Sequence, residues 1–87
     1  MISDDNIFKY YLEDLARILK EKALESVAEK RRAAERKDED RGAYDYWIGH
    51  SMALNHVISI MQQQAKGFDI PLEILHLHDI EPDRDLL

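Results

Sequence analysis

Two long helical patterns, at about residues 4–37 and 43–66, occupy most of this 87-residue chain. Two helices of that length cannot surround a core of their own. The pattern therefore points to an all-α, long antiparallel helical hairpin that buries its remaining apolar surface by pairing into a dimeric four-helix bundle. No Gly or Pro interrupts residues 3–41. Ser3 is placed to cap the first helix, with Asp4 and Asp5 at the positive end of its dipole. Ile7, Phe8, Tyr11, Leu12, Leu15, Ile18 and Leu19 follow at helical spacing. The stripe thins through Ala23, Leu24, Val27, Ala28 and Ala34. Charges at i+3 and i+4, such as Glu13–Arg17 and Glu29–Arg32, read as a solvated opposite face.

Residues 35–42 contain no apolar side chain. The turn is placed at about 38–42, with Asp38 or Asp40 as the cap of the second helix. Along that helix Trp47, Ser51, Leu54, Ile58, Met61, Ala65 and Phe68 alternate steps of four and three, a heptad seam. His50, Ala53, Val57 and Ile60 form a second row beside it. One neighbouring helix covers only one such row, so Gly49, Ala53, Val57 and Ile60 are the expected dimer interface, with Gly49 as a notch for close approach. Leu15, Leu19, Trp47, Leu54, Ile58 and Met61 are the expected core.

Gly67 reads as a C-cap glycine, with Phe68 folding back on the last turn. Asp69-Ile70-Pro71 opens a short helix at about 70–76, and an extended acidic tail follows over 77–87, where Pro82 prevents helical continuation. The whole of 1–87 reads as a single helical domain.

Composition narrows the function classes. An apolar share of 45% is that of a folded chain, and a charged share of 34% suits helices with one wet face. The net charge of −6 is uneven: residues 1–19 carry two basic and four acidic groups (−2), 20–41 eight and seven (+1), and 42–87 two and seven (−5). A basic face is what nucleic acid requires, so direct binding to it is disfavoured. The absence of cysteine fits a cytoplasmic protein. The acidic N-terminus carries no signal-peptide pattern, and no apolar run is long enough to span a membrane.

Candidate chemistry is sparse. Glu73 and His76 have the Glu-x-x-His spacing of di-iron bundles, and His78 and Asp79 lie nearby. Such sites need two copies of the pair and further glutamates, so Glu73, His76 and His78 are weak metal candidates and no cofactor is expected. Ser51, His50 and Asp45 are triad residue types, but one helix cannot align them into a relay. Lys30-Arg31-Arg32 is interleaved with acids and reads as a solvated face. The expectation is a non-enzymatic protein–protein interaction module, a homodimer with an unidentified protein partner. The alternatives are an acidic inhibitor or nucleic-acid mimic acting on a nucleic-acid-processing partner, and a metal-binding helical bundle.

Overall fold

The computed structural model describes residues 4–86, with side chains from Asn6 onward. The proposed Ser3 cap and the side chains of Asp4 and Asp5 lie outside the described residues. The chain forms α1 (Asp4–Ala34), α2 (Arg41–Gly67) and a short α3 (Pro82–Asp85), and α1 packs along α2 as an antiparallel hairpin. At 1.5 Å per residue, α1 is about 46 Å long.

α1 stops at Ala34, short of residue 37, because nothing in the polar stretch that follows can be buried. Glu35 N–H donates to the Arg32 carbonyl (3.2 Å) and Arg36 N–H to that of Ala33 (3.0 Å), tightening the last turn. Asp40 then caps α2, its side chain accepting from the Ala43 N–H at 3.1 Å. Gly42 thereby belongs to the first turn of α2. On α1, Arg17 bonds Asp14 and Glu21 rather than Glu13, while Glu29 does pair with Arg32.

The C-terminal end of α2 departs from expectation. Gly67 stays helical, and the left-handed position falls on Asp69 (φ 57°). Ile70 N–H bonds the Ala65 carbonyl (2.8 Å) and Asp69 N–H that of Lys66 (3.1 Å), the two bonds of a Schellman motif. Phe68 is the C-cap residue itself, so its side chain points away, 74% exposed.

The remainder of the chain is neither a helix at 70–76 nor an extended tail. Residues 71–77 form successive turns with i→i+3 bonds, among them Ile74 N–H to Pro71 O (3.1 Å) and Leu75 N–H to Leu72 O (3.1 Å). His76 adopts a left-handed φ of 56° and redirects the chain. Residues 77–86 then lie as a strap along the hairpin. Pro82 begins α3 at its first position, where its missing N–H is harmless. Side chains of both helices grip strap carbonyls: Lys20 Nζ to His76 O (2.9 Å), Gln62 Nε2 to Leu77 O (3.0 Å) and Ile80 O (2.8 Å), and Asn55 Nδ2 to Pro82 O (3.2 Å).

That strap completes the core. Ala16, Ala23 and Val27 of α1 and Ile58 and Ala65 of α2 are buried together with Leu75, Leu77, Ile80 and Leu86. Of the six expected core residues only Ile58 is fully buried; Leu15, Leu19, Trp47, Leu54 and Met61 are half-buried. On α1 the small residues Ala16 and Ala23 take the innermost positions, and Leu19, Leu54 and Met61 pack against the rim of the core. Ser26 and Ser51 are also buried, each hydroxyl donating to a carbonyl three residues back (Ala23 O, 2.7 Å; Ile48 O, 3.1 Å), so no polar group is stranded there.

Candidate interaction face

The hairpin has two broad faces, and the strap covers one of them. Lys20 on α1 and Asn55 and Gln62 on α2 mark the covered side by their bonds to the strap. At 100° per residue, the row opposite Lys20 on α1 is Ile7, Tyr11, Leu15 and Ile18, with Phe8 beside it. The row opposite Asn55 and Gln62 on α2 is Tyr46, Ala53, Val57, Gln64 and Phe68, with Gly49 and Ile60 at its edge. In an antiparallel pair both rows fall on the same bare side.

This side is apolar at the open end of the hairpin and charged at the turn end. Phe8 is 68% exposed and Tyr11 63%. Ile7, Leu12, Ile18 and Ile60 are also exposed. Between the helices, Leu12, Met61, Ala65, Phe68, Ile70 and Leu75 line a cavity of about 380 Å³. Near the turn, Glu29, Arg32, Arg36, Asp40 and Trp47 line one of about 500 Å³. Tyr46 packs edge-on to Trp47 (ring centroids 5.0 Å), and Trp47 edge-on to His50 (5.2 Å). Tyr44 lies under the cations of Lys37 (5.7 Å) and Arg41 (5.8 Å). The His50 Nδ1 atom is buried with no hydrogen-bond partner.

The four residues expected at an interface lie together on this face of α2. Gly49, Ala53 and Ile60 are exposed and Val57 is half-buried. A Cβ at Gly49 would meet nothing within 4 Å, so the chain's own packing does not require glycine there. The sequence puts Ile7, Phe8, Tyr11, Leu12, Leu15, Ile18 and Leu19 on one helical face, but Ile7, Phe8, Tyr11, Leu12 and Ile18 are exposed while Leu15 and Leu19 are half-buried. The signal lay in Ala16 and Ala23, whose small side chains permit closer helix contact than the large apolar residues do.

The metal candidates are not assembled. Glu73, His76 and His78 are exposed on the turns and strap, and among the described residues no group of three or more His, Asp or Glu is placed to hold one ion. Two strap carboxylates, Asp79 and Asp85, pair with Lys20 of α1 and with Arg84. Asp79 accepts a hydrogen bond from Lys20, which lowers its pKa. Asp85 is lowered to about 2, first by the Arg84 guanidinium and then by the Glu81 N–H. A carboxylate depressed in the folded state adds stability that is complete above its ordinary value of 3.8 and is lost as pH falls through about 2. Replacing Asp85 with Asn should therefore flatten the acid side of a Tm–pH curve between those values. Identical slopes for both proteins would show that the Arg84 and Glu81 bonds are absent in solution.

Among the described residues no helix is long and apolar enough to cross a membrane. Comparison with protein-family models, with curated proteins and with solved structures finds no match.

Proposed function

We propose that this chain is a non-enzymatic protein–protein interaction module that acts as a homodimer, two hairpins pairing into a four-helix bundle in the cytoplasm. One observation carries the reading: the bare face holds Ile7, Phe8, Tyr11, Leu12, Ile18, Ile60 and Phe68 exposed on one side of the hairpin. A contiguous apolar surface of that extent is rare on soluble monomers. Twofold pairing is the commonest way for one chain to remove it. A further protein partner would then be bound by the surfaces that pairing leaves free.

The acidic-mimic reading draws less support, because Asp79 and Asp85 are engaged by Lys20 and Arg84. Light scattering at micromolar concentration should give about twice the 10.2 kDa chain mass. Val57→Glu places a charge on the face and should return the mass to that of one chain and lower the Tm. A well-folded monomer indifferent to Val57→Glu would overturn the reading.

A further inference from the structure

We draw no further inference here: the strongest candidate, the apolar cavity lined by Leu12, Met61, Phe68 and Ile70 at the open end of the hairpin's bare face, carries none because nothing in the structure shows what covers it.

Discussion

Replacing Ile58 with alanine should destabilise the protein by about 2–5 kcal/mol, the range for a large-to-small change in a closed core. Ile58 is 0% exposed and sits where α1, α2 and the strap converge. Small neighbours such as Ala16 and Ala23 cannot reach into the void, so relaxation recovers little. Leu54 and Met61, on the same seam but half-buried, should lose less when truncated. Urea unfolding at one fixed protein concentration, so that any self-association contributes equally, makes the comparison. A loss at Ile58 below that at Leu54→Ala would place the centre of the core elsewhere.

The strap supplies the second large effect. Leu77 is 0% exposed, and its carbonyl receives Gln62. Leu77→Ala should also cost about 2–5 kcal/mol. Leu77→Asp should cost more, because an unpaired carboxylate would have to enter an apolar site or expel the strap from it. Hydrogen exchange separates the two consequences: with Leu77→Asp the amides of the strap should exchange fast, while those in the middle of α1 and α2 keep much of their protection. A loss below about 0.5 kcal/mol for Leu77→Ala would return residues 77–86 to the status of a peripheral tail.

The residues of the bare face on α2 and on α1 differ in how readily the sequence discloses them. Gly49, Ala53, Val57 and Ile60 stood out because the heptad seam beside them already supplied a row for α1, leaving theirs in excess. Ile7, Tyr11 and Ile18 did not, because on α1 the large residues looked like the better core. Hydrophobicity alone ranks Phe8 above Ala16, yet Phe8 is 68% exposed and Ala16 is buried. Packing reverses the order, since two helices approach most closely where side chains are small.

Local chemistry in the sequence determined the helical hairpin and the polar turn, through helical periodicity and an eight-residue stretch with nothing to bury, and narrowed the α2 cap to Asp38 or Asp40, of which the fold uses Asp40. It also held the apolar pattern of the last turns and the strap, in Leu75, Leu77, Ile80 and Leu86, but the spacing of these residues matches neither helix nor strand. Tertiary structure alone decided that the strap enters the core. Its burial depends on donors far away in sequence, Lys20, Asn55 and Gln62, which satisfy carbonyls that no regular element would. On α1 the core shared with α2 and the strap takes Ala16, Ala23 and Val27, and leaves Ile7, Phe8, Tyr11 and Ile18 exposed.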